Sequence, residues 1–133
     1  MAECKLIRCG AHFSGKQGLS YFAGIASETA GSKGLCMHLI EILPGAKGKA
    51  HFHEKHETAI YVLEGEAEML YGEQLEHKMR VGTGDFVYIP AGVPHLPYNP
   101  FSVPARAVIA RTDPNEQESV ILCPELDEPI GNA

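Results

Sequence analysis

The sequence predicts an all-β protein, a barrel or sandwich built from many short strands. Three observations carry this. Short apolar or alternating runs recur along the chain and are bounded by Gly, Pro, Asn, Asp or Ser. No long segment repeats with the 3.6-residue period of an amphipathic helix. Glycine and proline number 14 and 9 in 133 residues, a supply of turn formers that suits frequent chain reversal. No internal repeat and no linker composition divides the chain, so residues 1–133 are expected to form one domain.

Taken in order, residues 5–9 read as a first strand and 14–18 as a polar turn. Residues 20–26 (SYFAGIA) are a short strand, and 28–34 (ETAGSKG) a loop by Gly and Ser content. Residues 35–43 are a strong strand between Gly34 and Pro44. One face carries Leu35, Met37, Leu39, Glu41 and Leu43, the other Cys36, His38, Ile40 and Ile42. His38 is read as a hydrogen-bonded strand residue. Residues 49–53 form the next strand, and 58–71 a longer one broken near Gly65. After a turn at 72–74, residues 75–81 return as a hairpin partner. Glu76, His77, Lys78 and Arg80 mark that strand as a solvated edge. Turns at 82–85 and 90–94 flank a strand at 86–89. An apolar strand spans 105–111, a turn 113–117 and a last strand 119–123. The acidic tail, 124–133 (PELDEPIGNA), is expected to be loose.

Charge and composition exclude several classes. The net charge is −6 with no basic run, which disfavours nucleic acid and anionic membrane as partners. No apolar stretch approaches the ~20 residues of a membrane span. The first ten residues, MAECKLIRCG, lack the apolar core of a signal peptide. Cys4, Cys9, Cys36 and Cys123 are scattered and form no CxxC pair, which predicts reduced thiols and a cytoplasmic protein.

Chemistry concentrates in two stretches. The first, residues 45–65, reads GAKGKAHFHEKHETAIYVLEG. His51 and His53 are two apart, so on a strand both imidazoles point to one face. With Glu54, His56 and Glu57 close by, they make a candidate site for a first-row divalent metal. The second, residues 84–99, reads GDFVYIPAGVPHLPYN. Its glycines supply turns, and Pro90 and Pro94 stiffen the approach to His95, the natural third imidazole. No cysteine joins the cluster, so a closed structural zinc site is not indicated.

These stretches resemble the paired motifs of the cupin superfamily, G-x5-H-x-H-x3,4-E-x6-G and G-x5-P-x-G-x2-H-x3-N. The second is matched at Gly84, Pro90, Gly92, His95 and Asn99, the first at Gly45, His51, His53 and Gly65. The resemblance implies a single cupin β-barrel of jelly-roll type, a metal in its mouth, and a homodimer that often exchanges N-terminal strands. The motif's glutamate is the departure. Counting forward from His53 reaches Glu57, whereas counting back from Gly65 reaches Thr58. A one-residue difference flips a strand side chain to the opposite face. Three readings follow: Glu57 is the fourth ligand from a bend before the strand, His56 takes that place, or Thr58 faces inward and the strand contributes no carboxylate. The sequence favours Glu57 over His56, giving His51, His53, Glu57 and His95 as ligands.

One divalent ion (Zn, Mn, Fe or Ni) on such residues suits several activities. The first expectation is an isomerase-type enzyme on a sugar phosphate or similar oxygenated metabolite, similar to the mannose-6-phosphate isomerase-like small cupins. Glu57 or His56 would then move the proton, and Lys47, Lys49, Lys55 and Arg80 are candidate phosphate groups. The second is an Fe- or Ni-dependent dioxygenase of a small organic substrate, with Tyr61, Tyr71, Tyr88 and Tyr98 as candidate pocket hydroxyls. The third is a non-catalytic protein that binds a small ligand through the metal.

Overall fold

The protein is described from a computed structural model over residues 3–8, 12–16, 18–115 and 120–127. Among these the chain is almost wholly β. The strands are β1 (His12–Ser14), β2 (Ser20–Ile25), β3 (Cys36–Ile42), β4 (His51–His53), β5 (Thr58–Glu64), β6 (Glu66–Tyr71), β7 (His77–Gly82), β8 (Phe86–Ile89), β9 (His95–Tyr98), β10 (Ala105–Arg111) and β11 (Val120–Leu122). They form a six-stranded sheet, β1-β2-β3-β10-β5-β8, and a five-stranded sheet, β11-β4-β9-β6-β7. All named pairings are antiparallel. The expected jelly roll is present in its two-sheet form, and among the described residues no hydrogen-bonded ladder closes the sheets into a barrel.

Alternation decides which residues enter the core. Along β10, Ala105, Ala107, Ile109 and Arg111 are buried, and along β3, Cys36, His38, Ile40 and Ile42. The inward apolar residues of the two sheets meet. Ala67 packs with Tyr21, Ile40 and Ile109, and Met69 packs with Val87 and Ile89. β5 and β6 are separated by Gly65 in the left-handed region (φ 80°), where a Cβ would collide with the Pro104 carbonyl oxygen. That steric demand explains the break at this glycine.

Four segments differ from the sequence expectation. Residues 3–8 form no strand, and Cys9 lies outside the described residues; the first strand is β1, paired with β2 of its own chain. The loop at 28–34 begins as a single helical turn, α1 (Ser27–Ala30). β9 was not anticipated, because Pro97 reads against a strand. It is tolerated because the β9 ladder to β4 consists of one pair, His51 with His95, so no donor is required at Pro97 on that side. The tail is tied down at its start. Residues Pro124–Leu126 form a 3-10 turn, Leu126 is buried, and the Asp127 carboxylate accepts a hydrogen bond from the Ala50 N–H at 2.6 Å. Residues 128–133 lie outside the described residues.

Candidate metal centre

Strand parity and register bring three imidazoles together. His51 and His53 face inward from β4, and β9 sets His95 directly opposite His51. All three are buried. Ring centroids are 4.2 Å apart for His51–His95, 5.3 Å for His51–His53 and 5.7 Å for His53–His95. One nitrogen from each lies within 4.8 Å of the others. His95 is delivered by the turn that the prolines predicted. Gly92, at φ 81°, donates its N–H to the His53 carbonyl at 2.8 Å, clamping the turn onto β4. Asn99 closes the same segment. Its amide donates to the Ile42 and Val103 carbonyls, and its oxygen accepts from the Phe101 N–H, each at 2.9 Å. Asn99 is therefore a fully bonded structural residue.

The tautomers suit metal binding. His51 Nδ1 lies 2.7 Å from the Lys49 carbonyl oxygen and His95 Nδ1 lies 2.9 Å from that of Val93. A carbonyl only accepts, so each Nδ1 carries the proton and each Nε2 keeps a free lone pair. Burial holds all three rings neutral. It pushes His51 well below the usual imidazole range, abetted by the neighbouring His95. It lowers His53 to about 3, with Arg111 adding to the effect. It lowers His95 to about 4, against the opposing hydrogen bond that His95 donates to the Val93 carbonyl. Neutral, converging imidazoles are the form that a divalent ion requires.

The residues that follow His53 separate sharply. Thr58 is buried and faces the cavity, with Val62 inward on the same parity. Glu57 is exposed. Its carboxylate accepts from the Tyr88 hydroxyl at 2.6 Å, and its N–H donates to Thr112 Oγ1 at 3.0 Å. The expected fourth ligand thus lies outside the three-histidine cluster, because β5 begins at Thr58 without a bulge that would turn Glu57 inward. His56 is outside the cluster too, with Nδ1 3.9 Å from Asp113 Oδ2. The glycine-anchored count is the one that the fold obeys.

The imidazoles open into a cavity of about 80 Å³ between the sheets, walled mainly by apolar side chains such as Ile40, Ile60, Val62, Met69 and Val87. Its polar lining besides histidine includes Thr58, Arg111, Glu68 and Arg106, the last two of which also make ion pairs, with Lys78 and with Glu41 and Glu64. The Arg111 guanidinium lies over the Tyr21 ring, 5.9 Å from its centroid. The surface cations expected to bind phosphate are elsewhere. Lys47, Lys49 and Lys55 are exposed, and Arg80 pairs with Glu66 at 2.6 Å. Of the four tyrosines expected near the pocket, Tyr61 and Tyr88 are exposed on the outer face, and the Tyr98 hydroxyl donates to Glu68 at 2.9 Å. Tyr71, half-buried, is not among the cavity-lining residues. His38 is the bonded strand residue anticipated: its Nδ1 accepts the Gly24 N–H at 2.9 Å.

The sequence profile of the cupin domain matches residues 38–110, more than half of the chain. The chain belongs to the cupin family. Solved cupin structures superpose on it. The polyketide cyclase RemF from Streptomyces resistomycificus shares 22% identity over 98% of this chain and 94% of its own, with a TM-score of 0.71. A candidate sugar phosphate isomerase from Acidithiobacillus ferrooxidans shares 23% identity over 77% of this chain, with a TM-score of 0.62. The DMSP lyase DddQ from Ruegeria pomeroyi shares 26% over 68%, with a TM-score of 0.58. This cupin spans 66% of the isomerase chain and 44% of the lyase chain. No curated protein sequence matches significantly. The likenesses establish fold, and the reactions named are those of the other proteins. Sequence reading of this cupin missed Arg111, which closes the otherwise apolar inward face of β10. The available signal was its odd-numbered parity with Ala105, Ala107 and Ile109.

Proposed function

We propose that this cupin is a metal-dependent enzyme acting on a small, largely apolar carbonyl compound by isomerase-type proton transfer. One observation carries the reading: three neutral imidazoles, joined by no carboxylate, open into an apolar cavity. His51, His53 and His95 are the proposed ligands, and Glu57 is not among them. A divalent ion held by these three neutral ligands would keep its full charge and would supply Lewis acidity to a substrate oxygen. The apolar walls favour a hydrocarbon-rich substrate over the sugar phosphate that the sequence suggested, because unpaired buried hydroxyls are costly. The two-histidine, one-carboxylate set typical of non-haem iron oxygenases is not assembled from these residues. His56, beside Asp113 and near enough to His53 to act on it electrostatically, is the proposed proton carrier, although it is not among the cavity-lining residues.

The test combines elemental analysis with deuterium exchange. The metal-loaded protein is expected to exchange the C3 protons of 2-oxobutyrate with D2O. His56→Gln should retain metal and slow exchange, and His51→Ala should lose both. Efficient isomerisation of fructose 6-phosphate with no exchange into oxo acids would overturn the substrate assignment.

We also propose a homodimer. The outer face of the six-stranded sheet exposes Met37, Leu43, Tyr61, Leu63, Phe86 and Tyr88. These exposed apolar side chains, with the Arg106–Glu41 and Arg106–Glu64 pairs lying among them, suit burial against a second copy.

A further inference from the structure

Arg111 and Arg106 lie on one strand and differ in one respect. Arg106 faces out and meets two carboxylates, Glu41 and Glu64, each at 3.7 Å. Arg111 faces in, is 5% exposed, and has no carboxylate partner among the described residues. Burial pushes the Cys36 thiol up and the guanidinium charge opposes that shift, but the Arg111 Nε is buried with no acceptor. Asp113, two residues on, is engaged elsewhere: Oδ1 accepts the Asn115 N–H at 3.0 Å and Oδ2 faces His56. A buried guanidinium without an anion is costly.

The register supplies the second half of the site. Thr58 stands directly across the β10–β5 ladder from Arg111. Its Oγ1 is also buried with no hydrogen-bond partner. Both residues line the cavity that receives the three imidazoles. The resemblance to the cupin motif places a glutamate where this chain has Thr58. A carboxylate at that position would face Arg111 across the strands. Threonine removes the protein's own anion and leaves a hydroxyl and an open volume.

We propose that Arg111 and Thr58 form a subsite for the carboxylate of the ligand, so that the site takes a small monocarboxylate with an apolar body. The ligand's carboxylate occupies the place that a side-chain carboxylate at position 58 would fill. The guanidinium donates to it through Nε and the threonine hydroxyl donates alongside. The apolar walls contact the remainder of the molecule. This inference rests on the functional reading above for the location of the chemistry, but the subsite itself is built from Arg111 and Thr58 without the metal.

Calorimetry with 3-methylbutanoate and 3-methylbutan-1-ol, which share a carbon skeleton, tests it on the protein as purified and after chelation. The acid is expected to bind about 30-fold or more tightly than the alcohol in both preparations. Arg111→Met should abolish that preference, and Arg111→Lys should keep part of it. Thr58→Glu places a built-in competitor opposite the guanidinium. It should abolish acid binding without lowering the melting temperature, which covers the case in which Arg111→Met does not fold. Equal binding of acid and alcohol to the wild type, or acid binding undiminished in Arg111→Met or Thr58→Glu, would overturn the proposal. The two readings fail separately. Arg111-dependent acid binding in a protein that retains no metal removes the metal centre and leaves the subsite. Stoichiometric metal with Arg111-independent acid binding does the reverse.

Discussion

The two sheets divide the work of the molecule differently on each of their faces. Inside, the five-stranded sheet supplies all three imidazoles, from β4 and β9, whereas the six-stranded sheet supplies Thr58 and Arg111. Outside, the contrast reverses in polarity. The five-stranded sheet covers part of its outer face with its own chain: Leu96, Ala50, Leu75, Cys123 and Leu126 form a second small core. Further along it carries ion pairs, Glu66–Arg80 at 2.6 Å and Glu68–Lys78 at 3.3 Å. Among the described residues the six-stranded sheet has no such cover; its outer face carries the Arg106 pairs with Glu41 and Glu64, and Phe86 is 82% exposed. The sheet that carries the three clustered imidazoles is thus packed on both sides by its own chain. The other is packed on one side and presents an apolar face suited to a partner.

The largest effect expected separates the inner faces. His51→Ala or His95→Ala should each reduce metal from about one equivalent to background by elemental analysis. Thr58→Val on the opposite sheet should leave it unchanged. Full metal retention in either histidine variant would dissolve the assignment of ligands to one sheet.

Next is acidity. The buried rings are depressed to about 3 for His53 and about 4 for His95, while in the unfolded chain they titrate near 6.5. The unfolded state therefore binds more protons across that interval, and stability rises with pH through it. For the metal-free protein, the urea midpoint should fall steadily as pH drops from about 6.5 towards 4, and be flat above about 7. A midpoint independent of pH in that window would show that the rings are not buried as neutral groups.

The outer faces give smaller effects. Leu63→Glu should weaken self-association about 100-fold by sedimentation or light scattering, while changing the stability of the isolated subunit by no more than about 0.5 kcal/mol. Leu96→Ala, in the self-covered face, should instead cost about 2–4 kcal/mol in unfolding free energy with association unaffected. A wild-type monomer at micromolar concentration would remove the contrast. Smallest is Arg80→Ala, which breaks an exposed pair and should cost at most about 1 kcal/mol by denaturant titration.

Much of this was legible from local pattern. The strands at 86–89 and 105–111 match their predicted limits, and Gly65 marked the break between β5 and β6. His51, His53 and His95 follow from parity and from a turn stiffened by prolines. What the sequence left open turned on register. Whether Glu57 or Thr58 entered the cavity depended on where β5 began, and one residue of slip reverses the answer. Arg111 was hidden for a related reason. Its inward parity is visible, but its lack of a carboxylate depends on residues 53 and 75 positions away in the chain, Thr58 and Cys36, which only pairing brings beside it. The apolar outer face was likewise spread over β3, β5 and β8, and no one strand reveals it.

The pairing of β4 also has a bearing on the order of events during synthesis. β4 holds two of the three imidazoles, yet it meets β9 at one pair only. Its full-length partner is β11, through Val120–His53, Ile121–Phe52 and Leu122–His51, and Asp127 fastens Ala50 just before it. β11 leaves the ribosome after every imidazole has been made. A nascent chain that already displays His51, His53 and His95 therefore still lacks the strand that aligns them. The three-imidazole cluster is accordingly expected to be aligned only after release of residues 120–127, a timing written into the sheet order and not into the spacing of the histidines.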